Sequence, residues 1–248
     1  TSFVFDGGNS FATVDLGGCT GLTELQIFYA SVASLDVSGC SGLKTLICIN
    51  RHLRSLDMTG CTALETLDCP QNYLTALDVT GCVALTDLNC CYNELTSLDV
   101  SACNVLTDLN CWHNQLTSIN VTGCVALTDL NCYCNQLTSL DVSSCTALQY
   151  LQCSYNKLAS LNVSACTALQ WLDCSGNCNL KSLVASGCAV LNSINCNCDT
   201  CKNNGQLEVM DIAGCAQLRF LSMDDSGLQW DAFLGICRGE IPVGDAQR

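Results

Sequence analysis

The chain has 248 residues, 49% of them hydrophobic and only 13% charged, so it can bury a substantial core and disorder is excluded as its main state. Nine Lys and Arg against 23 Asp and Glu leave a formal charge of −14, which opposes polyanionic partners: no nucleic acid and no anionic membrane surface is expected. No stretch approaches the roughly 18 consecutive apolar residues of a bilayer span, so no membrane insertion is expected, and the start TSFVFDGGNS reads as that of a mature or trimmed chain.

In chain order, residues 1–21 come first. Through Phe11, Val14, Leu16 and Cys19 they look like the second half of a repeating unit, and they are expected to form an N-terminal cap or partial repeat. From Leu22 the repeat is explicit. Cys19, Cys40, Cys61, Cys82, Cys103, Cys124, Cys145 and Cys166 are each 21 residues apart, and Cys48, Cys69, Cys90, Cys111, Cys132, Cys153 and Cys174 keep the same step. After small insertions the first series reaches Cys188 and Cys215 and the second Cys196, which puts 18 of the 24 cysteines in phase. Such phasing marks an internal repeat rather than a disulfide framework.

With Leu64 as position 1, the unit LETLDCPQNYLTALDVTGCVA reads L-x-x-L-x-C-x-x-N-x-L-x-x-L-D-V-x-x-C-x-x. Units begin at Leu22, Leu43, Leu64, Leu85, Leu106, Leu127, Leu148, Leu169, Leu191 and Leu218. Residues 22–217 therefore hold nine coils, the last two with insertions, and 218–248 a final degenerate repeat and C-terminal cap. Within each coil a similar half-pattern occurs twice, so both sides alternate inward and outward with the period of a strand and leave no room for a helix.

These units resemble the leucine-rich repeats, specifically the short 21-residue bacterial class, over about 200 residues. The resemblance implies a right-handed solenoid with a parallel β-sheet on one face, extended or turn-like segments on the other, and little or no α-helix. Cys at position 19 departs from the Asn or Leu usual there.

Seven inward positions (1, 4, 6, 11, 14, 16 and 19) supply the core, and one coil alone cannot offset its own ordering entropy, so stability is expected from stacked neighbours. Asn72, Asn93, Asn114, Asn135, Asn156 and Asn177 at position 9 are expected to be structural, with buried amides hydrogen-bonding the turns of adjacent coils. The in-phase cysteines are read as small apolar core side chains.

Candidate function lies in the outward positions, 3, 5 and 7 on the sheet with 8 at the strand end. There Tyr92, Trp112, His113, Tyr133, Tyr150, Tyr155 and Trp171 form an aromatic patch beside Asp108, Asp129, Asn110 and Asn131, the composition of a binding surface. At position 15 a second acidic column comprises Asp36, Asp57, Asp78, Asp99, Asn120, Asp141, Asn162 and Asp211. Its mutual repulsion requires relief by local backbone donors, by raised pKa values or by cations such as bridging Ca2+. Six cysteines fall out of phase: Cys91, Cys134, Cys178, Cys198, Cys201 and Cys237. For Cys178, Cys198 and Cys201 a local disulfide, a metal site and free thiols stay open, and Cys91, His113 and Cys134 on three successive coils are the one conceivable Cys/His dyad or second metal site. There is no glycine-rich phosphate loop and no further catalytic constellation.

The expectation is a non-enzymatic binding scaffold without a cofactor, meeting a protein partner, with glycan binding, self-association or a metal- or redox-active thiol store as rivals. The family resemblance implies a bacterial product, secreted or at the cell surface, used in adhesion or partner contact.

Overall fold

A computed structural model describes residues 1–6, 11–28, 31–49, 51–198 and 207–223. Among them every regular element is a β-strand; there is no helix. Eleven strands, one per turn of the chain, form a single parallel sheet running from Ser2–Asp6 through Glu24–Phe28, Thr45–Ile49 and Thr66–Asp68 to Trp171–Asp173, Ser193–Asn195 and Phe220–Ser222. Each strand pairs in register with its equivalent in the next coil, for instance Asp87 with Asp108 and Asp108 with Asp129. The opposite side carries three short parallel ladders built on position 14, centred on Val14, Leu35 and Leu56, on Leu98 and Ile119, and on Leu161, Leu183 and Met210. The molecule is thus a parallel solenoid of the kind the repeat implies.

The core is what the inward positions dictate. In the coil from Leu64, the side chains of Leu64, Leu67, Cys69, Leu74, Leu77, Val79 and Cys82 are all buried, and their equivalents continue into one apolar column along the molecule. Two polar ladders hold adjacent coils together. Each position-9 Asn reaches backward with both ends of its amide: Asn135 Oδ1 accepts the N–H of Leu116 at 3.0 Å, and its Nδ2 donates to the carbonyls of Cys111 and Cys132, each at 3.1 Å. The same bonds recur at Asn72, Asn93, Asn114, Asn156 and Asn177, with Asn114 alone only half-buried.

The second ladder explains the cysteine at position 19. Its thiol donates to the position-16 carbonyl of the preceding coil, as from Cys40 to Leu16 at 3.2 Å, Cys61 to Val37 at 3.2 Å, Cys124 to Val100 at 3.4 Å and Cys188 to Val163 at 3.3 Å. Leu at this position would bring no donor for that carbonyl.

Two features were not read from the sequence. Ser2–Asp6 adds the first strand of the main sheet, although SFVFD lacks the leucine spacing that marks the others. At the other end of the sheet strands, position 8 is left-handed in coil after coil: Gln71, Tyr92, His113, Cys134 and Tyr155 have φ between 52° and 56°. This turn rotates position 7 away from simple outward alternation, so Cys91, Ser154 and Ser175 are buried there while Trp112 and Tyr133 remain half-exposed.

Candidate functional site

The outward residues of coils 4 to 8 fall into two groups. The first lies at the strand ends, where positions 7 and 8 bring Tyr92, Trp112, His113, Tyr133 and Tyr155 into ring contact. Tyr92 stacks on His113 with centroids 4.5 Å apart and planes at 16°, and Trp112 meets Tyr92 edge-on at 4.5 Å. Tyr133 meets Trp112 at 5.9 Å and Tyr155 at 5.4 Å, so the rings form one unbroken chain across four coils. Such pairs contribute about 0.5–1.5 kcal/mol each beyond burial and hold one another in place. Yet Tyr92 and Tyr155 remain exposed on the surface.

The second group lies on the face of the sheet. Asp108, Asn110, Asp129, Asn131, Tyr150, Gln152 and Trp171 line an open groove of about 540 Å³ whose floor is Leu109 and Leu130. Strand pairing puts Asp108, Asp129, Tyr150 and Trp171 side by side in one column, and Asn110, Asn131 and Gln152 in the next. Gln152 and the floor leucines were not among the residues singled out from sequence; the position-5 register carried the signal for Gln152. The polar atoms differ in how they are satisfied. Asn131 Oδ1 accepts the N–H of Tyr133 at 3.1 Å, whereas Asn110 Oδ1 is buried with no hydrogen-bond partner.

The acidic column at position 15 is locally satisfied. Asp36, Asp57, Asp99 and Asp141 accept the backbone N–H two residues on at 2.8–2.9 Å, and Asn120 and Asn162 do the same. These bonds, with those from the Thr and Ser hydroxyls, hold the carboxyls of Asp57, Asp78, Asp99 and Asp141 below the usual carboxylate range. Backbone donors therefore supply the relief that Ca2+ bridging would otherwise have to give. Among the described residues no three His, Cys, Asp or Glu side chains converge as a metal site requires.

The buried core thiols are chemically quiet. Burial pushes Cys82, Cys124, Cys132 and Cys166 up to about 12, and Cys61, Cys103 and Cys215 to about 11. Cys91 is also buried; desolvation first and the charge of Asp68 second push its thiol pKa up and keep it protonated, so the geometry gives no activated nucleophile beside His113. Cys134 is half-exposed at the aromatic edge. Cys178 and Cys198 face one another from neighbouring coils with Sγ atoms 3.0 Å apart, the juxtaposition a local disulfide needs. Cys201 and Cys237 lie outside the described residues.

Comparison with known proteins places this geometry. The family signature described as Leucine Rich repeat matches residues 50–66. The functional domain of InlJ from Listeria monocytogenes, described as including a cysteine ladder, is 30% identical with a TM-score of 0.65, over 91% of this chain and 53% of that one. A leucine-rich-repeat protein of Leptospira interrogans is 24% identical with a TM-score of 0.60, over 83% of this chain and 61% of that one. YopM from Yersinia enterocolitica shares the fold at 21% identity and a TM-score of 0.54, over 85% of this chain and 52% of that one. The chain thus spans about half to three fifths of the length of these structures. No curated protein matches it significantly.

Proposed function

Because the chain is a leucine-rich-repeat protein of the 21-residue, cysteine-ladder class, we propose that it is a non-enzymatic scaffold whose parallel sheet binds a protein partner, in adhesion or contact at a bacterial surface or in secreted form. One observation carries this: the continuous sheet presents the ring chain from Tyr92 to Tyr155 and the groove between Asp108 and Trp171 on the same stretch of coils. Aromatic side chains that are exposed yet held by one another are the anchors interfaces use, since little side-chain entropy is lost on docking. The buried, high-pKa thiols argue against catalysis or a thiol store. The kinship with proteins of Listeria and Leptospira favours a bacterial source, and the charge of −14 opposes nucleic acid.

A displayed-peptide library selected on the full chain tests the proposal. Enriched clones are expected to lose binding to a Trp112→Ala/Trp171→Ala variant and to keep it on Asp141→Asn, which changes only the opposite side. Clones insensitive to the aromatic substitutions would sink it. So would native mass spectra showing that the chain occupies this face with copies of itself.

A further inference from the structure

We infer that Cys178 and Cys198 are joined by a disulfide that acts as a redox-sensitive latch on the last coils; this does not rest on the binding-scaffold reading above. The two sulfurs face one another across the junction of coils 8 and 9, from residues 20 apart in the chain. The other described cysteines are thiols. From Cys40 to Cys188 those in phase with the repeat are buried, and burial holds them protonated, the form that does not attack a disulfide. Cys178 is half-buried and Cys198 is 9% exposed, so this pair alone among the described residues combines access with a facing sulfur.

A second, independent observation gives the tie its work. Each coil is held to the one before by its position-9 asparagine, so the position-6 carbonyls of Cys69, Cys90, Cys111, Cys132 and Cys153 each take two amide donors, one from their own coil and one from the next. That ladder stops at Asn177. Among the described residues the Cys174 carbonyl has the Asn177 amide alone, and coil 9 carries Asp199 at position 9, a carboxylate with no N–H to give. The regular step fails in the same place, since coil 8 begins at Leu169, coil 9 at Leu191 and the next at Leu218. Here the Gly176 N–H donates to the Asn197 carbonyl at 2.7 Å, which brings the two turns together beside the sulfurs. The disulfide thus spans the junction at which the amide tie runs out. Strands Ser193–Asn195 and Phe220–Ser222, in the coils beyond, stack on coil 8 through it.

The oxidant is a small-molecule disulfide. The thiolate of one cysteine attacks it, which forms a mixed disulfide and releases one small thiol; the thiolate of the other then attacks the protein sulfur of the mixed disulfide, which forms the Cys178–Cys198 bond and releases the second. Two electrons pass from the cysteines to the oxidant, and their two protons leave on the two thiols. A dithiol reverses both exchanges and opens the latch. Closing a loop of this length restricts the unstacked segment and so favours the stacked coils; reduction returns that freedom.

The test starts from the full chain incubated with glutathione disulfide, alkylated in denaturant without reduction and cut with trypsin, which cleaves at Lys181 between the two sulfurs and at Lys157 and Lys202 outside them. Tandem mass spectrometry is expected to find Cys178 joined to Cys198 and the in-phase cysteines alkylated. A fully alkylated chain, a link between Cys198 and Cys201, or disulfides among the in-phase cysteines would each overturn the inference. Hydrogen exchange of the native chain before and after dithiothreitol reads the latch itself. Exchange in Ser193–Asn195 and Phe220–Ser222 is expected to quicken at least about tenfold on reduction, while Asp87–Asn89 and Asp108–Asn110 stay as they were. Cys178→Ser/Cys198→Ser is expected to exchange like the reduced wild type with or without dithiothreitol, and the reduced wild type supplies the open state without any substitution. Exchange indifferent to reduction, exchange that quickens equally along the whole solenoid, or a double variant that still responds to dithiothreitol would show that this pair latches nothing.

Discussion

Position 8 shows a single residue in conflict with its own backbone. A left-handed φ costs a residue with a Cβ on the order of 1 kcal/mol, and glycine nothing. The eighth coil uses that solution with Gly176, packed beneath the ring of Tyr155. Coils 4, 5 and 7 instead put Tyr92, His113 and Tyr155 there, accepting the strain to hold three rings at the edge of the sheet. Local propensity points one way and the side chains another, the conflict expected where a surface serves something besides folding. The strain is measurable. His113→Ala loses the stacking on Tyr92 and keeps the strained turn, whereas His113→Gly loses the same ring and relaxes the backbone. The glycine variant is expected to exceed the alanine variant in stability by about 1 kcal/mol in urea unfolding, the reverse of their usual order in regular structure. Equal stabilities would mean that the turn is held without cost.

At the scale of one coil, the asparagine does what no strand can, because the turn after the sheet leaves carbonyls and N–H groups facing the core. Asn135 serves the turns of two coils at once and is buried, and Asn114 makes the same bonds half-exposed. Asn135→Ala is expected to cost about 1–3 kcal/mol by leaving the Leu116 N–H without a partner, while the Cys111 and Cys132 carbonyls each lose one of two amide donors. Asn114→Ala should cost less, since water reaches its site; guanidinium unfolding of both variants reads the difference, and equal losses would contradict the water argument. This coil is also where the sequence was most legible. Inward and outward positions, the amide ladder and the parallel strands follow from a spacing of 21 residues, because a repeated burial pattern admits few geometries. The candidate surface was legible only in part. Register places Asp108, Asp129, Tyr150 and Trp171 in one column, but the split of the aromatics into an edge chain and a groove depends on the left-handed turn at position 8. No glycine or asparagine announces that turn in coils 3 to 7. The strand Ser2–Asp6 was missed for a related reason: its core contact is the partly buried Phe5, without leucine spacing.

For the whole molecule, the repeat turns one local bond into a long-range dependence on pH. The carboxyls of Asp57, Asp78, Asp99 and Asp141 are held below their usual range by the turn bonds to Thr59, Thr80, Ser101 and Ser143. A carboxyl whose folded pKa lies below its unfolded value, about 3.9, stabilises the fold at higher pH and ceases to do so as pH falls through the folded value. Asp68 acts in the opposite sense, since burial raises its pKa despite the bond from Asn89, and its protonation on acidification relieves a cost. The buried core thiols, whose pKa values burial raises, stay neutral as the pH falls and contribute no slope. Four equivalent groups against one give a net loss of stability below about pH 4, and the loss is shared along the solenoid because each coil is stable only through its neighbours. Asn120 and Asn162 already make the turn bond without a titrating group. Replacing all four aspartates by asparagine should therefore keep the fold at neutral pH and flatten its acid limb. Circular-dichroism melts from pH 7 to 2.5 check this: a wild-type melting temperature that stays level, or a fourfold variant that falls as steeply as the wild type, would show that the turn carboxylates do not govern acid unfolding.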